Sequence, residues 1–115
     1  MKIIALPVKD GKLGQHFGHC DVFHFYTLIE CSDGLKVQDV EEKVPPAHEP
    51  GIIPQWVAQE GATDIIVGGI GQKAIDIFNQ KGVNVLVGAA TINVDKLISD
   101  YIDGVLEVNV NLCDH

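Results

Sequence analysis

Three metal-binding side chains fall within five residues of this sequence, in the run His16-Phe17-Gly18-His19-Cys20. Imidazole nitrogen and thiolate sulfur suit copper, zinc, iron and thiometal clusters better than magnesium or calcium, which prefer oxygen. The spacing matches no zinc-finger or zinc-ribbon pattern, so the run does not select one tetrahedral zinc by itself. His48 adds a donor in a second loop, and Cys113 with His115 adds a pair near the end of the chain. Residues two apart in an extended segment point to the same side, so Cys113 and His115 can grip one metal. His24, among Phe23, Phe25 and Tyr26, reads instead as a strand histidine, and Cys31 as a small core residue.

A second feature concerns anions. Gly69-Ile70-Gly71-Gln72-Lys73-Ala74 follows an apolar run, opens a helical one and formally fits G-x-G-x-x-G/A. A dinucleotide site also needs an acidic residue at the end of the next strand. That region reads Val85-Leu86-Val87-Gly88-Ala89-Ala90, with none. What remains is a backbone cradle: exposed N–H groups at a helix start attract an anion, and Lys73 in the first turn adds charge.

The elements that must position these residues follow from hydrophobic period and turn chemistry. Lys2 to Val8 reads as an apolar strand, followed by a long loop from Lys9 to Asp21. Val22 to Cys31 is a second strand, and Ser32-Asp33-Gly34 turns it back into a third, Leu35 to Val44, whose polar half suggests a sheet edge. After a rigid proline loop comes a helix with Ile53, Trp56 and Val57 inward, ended by Gly61. Thr63 to Val67 and Val83 to Val87 have the uninterrupted apolar pattern of strands buried on both faces. Between them lies a helix with Ala74, Ile77 and Phe78 inward. A third helix begins at the Asn93 cap, turns Val94, Leu97, Ile98 and Tyr101 inward and ends near Gly104.

A hairpin followed by two β-α units predicts an α/β fold with a mixed five-stranded sheet flanked by helices. Right-handed crossovers favour the order 3-2-1-4-5, with strand 2 antiparallel. The loops at Lys9–Asp21, Val44–Pro50, Gly68–Gln72 and Gly88–Ile92 would then share the carboxyl edge, where open α/β sheets bind ligands.

Composition narrows the function. The chain has 115 residues, which fits a single domain over 1–104 with a tail at 105–115. Its formal net charge is −8, and its eight basic residues are all lysine, without the clusters that neutralise nucleic-acid phosphates. A nucleic-acid role is excluded on that ground. Three cysteines, an odd number at wide spacing, make no disulfide framework and point to a reducing, cytoplasmic setting. The apolar runs are strand-sized, which predicts no membrane span and no signal segment. No P-loop, nucleophile–base set or paired carboxylates for two metals is present, so no enzyme is expected.

His16-Phe17-Gly18 after a first strand, a histidine in the third loop, and Gly68-Gly69-Ile70-Gly71-Gln72-Lys73-Ala74 after a buried strand together resemble the dinitrogenase iron–molybdenum cofactor biosynthesis family. That family includes NifX-like proteins, the C-terminal part of NifB and orange-protein-like members. The resemblance runs over residues 1 to 104. It implies a ribonuclease-H-like three-layer fold that binds or carries an anionic metal–sulfur cluster, of Fe-Mo-S or Mo-Cu-S type, without catalysis. Cys20 would supply a thiolate, with His16, His19 and His48 as ligands or hydrogen-bond donors. The Gly69, Ile70, Gly71, Gln72 and Lys73 turn would steady the negative charge. Three places differ from the commoner pattern: His19-Cys20 after His-Phe-Gly, His48-Glu49-Pro50-Gly51 in the third loop, and the Cys113-Asp114-His115 ending. The ending is similar to a branch often accompanied by Mrp-type iron–sulfur ATPases, which implies such an ATPase as a partner. The alternative reading is a mononuclear zinc or copper module that docks on that partner.

Overall fold

A computed structural model describes residues 1–17, 20–46 and 51–111. The elements run β1 (Lys2–Lys9), β2 (Lys12–Leu13), β3 (Val22–Cys31), β4 (Gly34–Lys43), α1 (Ile52–Gln59), β5 (Asp64–Val67), α2 (Gln72–Gln80), β6 (Asn84–Val87), α3 (Val94–Asp103) and β7 (Asn109–Asn111). Among the described residues, the expected five-stranded sheet gives way to one of seven. Its main path runs β4-β3-β1-β5-β6-β7, with β2 paired to β1 off that path. The strands beyond the five expected, β2 and β7, are two and three residues long, too short to show a hydrophobic period.

β1, β5 and β6 are parallel to one another, while β3 is antiparallel to both β1 and β4. The Asp33-Gly34 signal makes the β3–β4 hairpin, with Cys31 opposite Gly34. β4 is an edge strand and stays largely exposed, as its charges require. β7 pairs antiparallel with β6, so the segment expected to be a tail supplies the other edge.

Alternation along the strands sorts the apolar residues into two layers. On one face Ala5, Phe23, Phe25, Ile65, Val67 and Val85 meet Ile53 and Val57 of α1 and Ile75 and Phe78 of α2. On the other, Ile4, Leu6, Tyr26, Leu28, Ile66 and Leu86 meet Val94, Leu97 and Ile98 of α3. In α2 the buried pair is Ile75 and Phe78, while Ala74 and Ile77, expected inward, are only partly covered. Cys31 also departs from expectation: it is half-exposed at the hairpin end and joins neither core layer. No helix among the described residues is long and apolar enough to cross a membrane.

Candidate functional site

β1, β4, β5 and β6 all finish at one edge of the sheet, and each helix starts from that edge. The first loop is not the single long loop expected between Lys9 and Asp21. Asp10 and Gly11, with φ of 55° and 77°, form a tight two-residue turn, and Lys12–Leu13 return antiparallel to Val8–Lys9. The Asp-Gly dipeptide was the available signal.

The chain then crosses the edge and is fixed to the glycine turn. Phe17 donates its backbone N–H to the Gly69 carbonyl at 3.0 Å, and its ring is buried. That ring stands edge-on to Phe23 at 5.7 Å and to Phe78 at 5.6 Å, which anchors the loop in the α1/α2 layer. Sequence reasoning used Phe17 only as part of a motif; its burial gives it the structural role. The neighbouring His16 is exposed, and a Cβ placed on Gly69 would lie 3.7 Å from its Nδ1. The fold therefore brings His16 to the glycine turn.

Two other stretches of backbone converge on the same turn. A Cβ on Gly68 would meet the carbonyl oxygens of Gln15, Ala89 and Gly14 at 3.2, 3.4 and 3.5 Å. A side chain at Gly68 or Gly69 would have to push the Gln15 carbonyl aside by a few tenths of an ångström, so close approach favours glycine at both. Gly71 differs: its φ is −76°, in the extended region, and nothing lies within 4 Å of a Cβ built on it. Its role is to leave space.

That space fronts the N-terminus of α2. Gly71 is the N-cap and has no side chain to accept from the first-turn N–H groups, and no acidic residue stands in that turn. Gln72 turns its amide down the helix to Asp76 at 2.9 Å, and Lys73 is exposed with no ion pair among the described residues. The N-terminus of α1 also has a glycine cap, Gly51, and no acid in the first turn, though Pro54 there has no N–H to offer. By contrast, α3 is closed by its own cap: Asp95 donates its N–H to the Asn93 side chain at 2.8 Å, and Asp95 adds a negative charge. Among the described residues, then, no first-turn acid compensates the positive ends that these two helices of one face present to the same edge.

Cys20 lies on that face too. It is half-buried and packs with Ile70 against the α1/α2 layer. Burial, reinforced by the Asp21 charge and partly offset by the Val8 backbone, pushes its thiol up to about 11. Without a metal it is a protonated thiol near neutrality. Metal binding must displace that proton.

Of the other expected donors, His19, His48, Cys113 and His115 lie outside the described residues. Among the described residues no three His, Cys, Asp or Glu side chains come together in a way that would hold a metal ion. His24 stays on the α3 face, its ring 6.2 Å from that of Tyr26.

The family model for dinitrogenase iron-molybdenum cofactor matches residues 1–104. The chain belongs to this family. A relative in Methanocaldococcus jannaschii, the uncharacterized protein MJ0580, is 32% identical over 108 residues, covering 90% of this chain and 88% of its own. Solved structures share this fold. The crystal structure of PH0822 is 28% identical, covers 93% of this chain and 94% of its own, and superposes with a TM-score of 0.83. The apo form of the orange protein from Desulfovibrio gigas is 21% identical, covers 96% of this chain and 97% of its own, and gives a TM-score of 0.74, a likeness of fold alone. The family match ends at the αL residue Gly104 that closes α3, before β7.

Proposed function

We propose that this protein binds and carries an anionic metal–sulfur cluster of Fe-Mo-S or Mo-Cu-S type, as a non-catalytic accessory to cofactor or cluster assembly. Its binding domain, over 1–104, is taken as ribonuclease-H-like, with 105–115 as a further segment that adds the edge strand β7. The observation that carries the reading is the pair of glycine-capped helix N-termini on the face that also holds Cys20. Each such end amounts to roughly half a positive charge, with free N–H groups directed outward. An anionic cluster with sulfur acceptors is the cargo that such donors and a thiol would suit together.

In this reading Cys20 is the thiolate ligand once its proton has left, and His16 is a ligand or hydrogen-bond donor beside the glycine turn. His19 and His48 have the same role from the flanking loops. The Gly69–Lys73 turn holds negative charge through its N–H groups and the Lys73 ammonium. Cys113 and His115 are a handover pair. The net charge of −8 opposes an anion, but it is screened beyond about 8 Å at physiological salt, so local donors prevail. The zinc or copper alternative gains no support from the described residues, where no three-ligand group forms. An Mrp-type ATPase partner gains none from the relatives found.

The test is anaerobic purification followed by metal and acid-labile sulfide analysis and a visible spectrum. Charge-transfer bands with stoichiometric sulfide are expected. One equivalent of colourless zinc without sulfide would overturn the reading.

A further inference from the structure

Three of the eight lysines of this acidic chain sit in ion pairs among the described residues. Lys2 meets Asp64 at 3.3 Å, Lys43 meets Glu60 at 2.6 Å and Lys96 meets Asp100 at 2.7 Å. Lys9 and Lys12 do the opposite. They are direct cross-strand partners in the β1–β2 hairpin, and neither makes an ion pair among the described residues. Like charges facing each other across two strands destabilise a hairpin. With 16 acidic side chains against 8 lysines, that arrangement is a local exception.

Both lysines line one groove of about 380 Å³, with Gln15 and Thr91 as neutral hydrogen-bonding side chains and Asp10 as the one acid. Its walls are held by backbone hydrogen bonds. Leu13 donates to the Ile92 carbonyl at 2.9 Å, Gly14 donates to the Pro7 carbonyl at 2.9 Å, and Lys12 bridges to Asn93. The hairpin that presents the lysines is therefore locked to the β6–α3 connection before any ligand arrives. Val8 and Leu13 pack in the α3 layer, so by strand alternation their neighbours Lys9 and Lys12 stand on the opposite face of the hairpin.

We propose that this groove is a binding site for a divalent tetrahedral oxyanion, either free or as the terminal phosphate of a small molecule. The two ammonium groups offset the ligand's double charge, and the Gln15 amide and Thr91 hydroxyl supply directed donors. The volume is at the lower end of small-molecule sites, suited to a phosphate with a short organic group and too small for a folded partner. The mutual repulsion of Lys9 and Lys12 is relieved when the anion sits between them.

This inference does not rest on the cluster reading, and its test uses metal-free protein. Inorganic phosphate, and in a parallel arm glycerol phosphate, are titrated at constant ionic strength against ¹⁵N-labelled protein. Saturable amide shifts confined to residues 9–15 and 91–93 are expected. Lys9→Gln and Lys12→Gln should each weaken binding by about tenfold, while Lys81→Gln on the distant end of α2 changes nothing. Tighter binding of inorganic phosphate identifies a free oxyanion; tighter binding of the ester identifies a phosphorylated small molecule. Thermal unfolding guards against a folding artefact: both lysine variants should be at least as stable as the parent without phosphate and should lose its phosphate-induced stabilisation. Shifts that chloride reproduces at equal ionic strength, or that survive in both lysine variants, would overturn the proposal.

Discussion

Cys20 combines burial with the position of a ligand, and the two make opposite demands on its proton. Its thiol is raised from 9.0 to about 11, first by burial and then by Asp21. The folded state therefore keeps a proton that the unfolded chain releases from about 9 upward. Folding then binds more protons than unfolding, so stability falls as pH rises through the interval from 9 to about 11. Tyr26 acts in the same direction at higher pH, because burial and its hydrogen bond to Asp95 raise its phenol. Urea midpoints measured across alkaline pH should decline, and Cys20→Ser should flatten the lower part of that decline. An unchanged slope in the variant would remove Cys20 as its source. The same residue should dominate cluster loading: Cys20→Ser is expected to lose most of the bound metal and sulfide, whereas Cys31→Ser keeps it. Cys31 stands half-exposed at the far end of the β3–β4 hairpin, away from the carboxyl edge. Equal loading in the two variants would exclude Cys20 as a ligand.

Among the three helices, the N-caps divide stability from binding. Asn93 closes α3, whereas Gly51 and Gly71 leave α1 and α2 open. Replacing Gly71 by Asp would supply both a cap acceptor and a charge matched to the helix dipole, worth about 0.3–1 kcal/mol in stability. Space permits it, since nothing lies within 4 Å of a Cβ there and φ is −76°. The expected result is a protein that melts higher and binds a thiometallate anion more weakly. A gain in stability with undiminished affinity would make the α2 end irrelevant to the cargo. The long strands and the Asn93 cap were legible because period and cap chemistry are local signals. The Asp10-Gly11 hairpin was missed because its strands are only two residues deep, although the dipeptide itself announced it. His16 and the Gly69 turn, more than fifty residues apart, could be joined from sequence only through the expected topology. The convergence of Gln15, Ala89 and Gly14 on Gly68 had no sequence signal, because it is made entirely of backbone.

Across the whole molecule, the sheet is covered unequally. Two helices close the face that carries Cys20 and the anchored Phe17 ring, while α3 alone covers the other. The segment after Gly104 helps to complete that second face: Leu106 and Val108 pack against its core, and β7 covers the open side of β6. This segment was expected to stand apart from the domain, and nothing in its few alternating residues tells an added strand from an extended end. Its position sets a division of labour that truncation can read. A chain ended after Gly104 keeps the glycine turn, His16, Cys20 and both open helix ends, but loses two partly buried apolar side chains and the β6–β7 ladder. It should be destabilised by roughly 2 kcal/mol or more in urea unfolding. A chain ended after Asn111 retains that packing and should unfold at the parent's midpoint. If the binding site lies wholly within the first 104 residues, both truncated proteins should load cluster to the parent's stoichiometry at a temperature where all are folded. Loss of loading in the Asn111 truncation at full stability would move Cys113 or His115 into the resting site. An unchanged midpoint in the Gly104 truncation would instead mean that β7 and the residues before it contribute nothing to the fold.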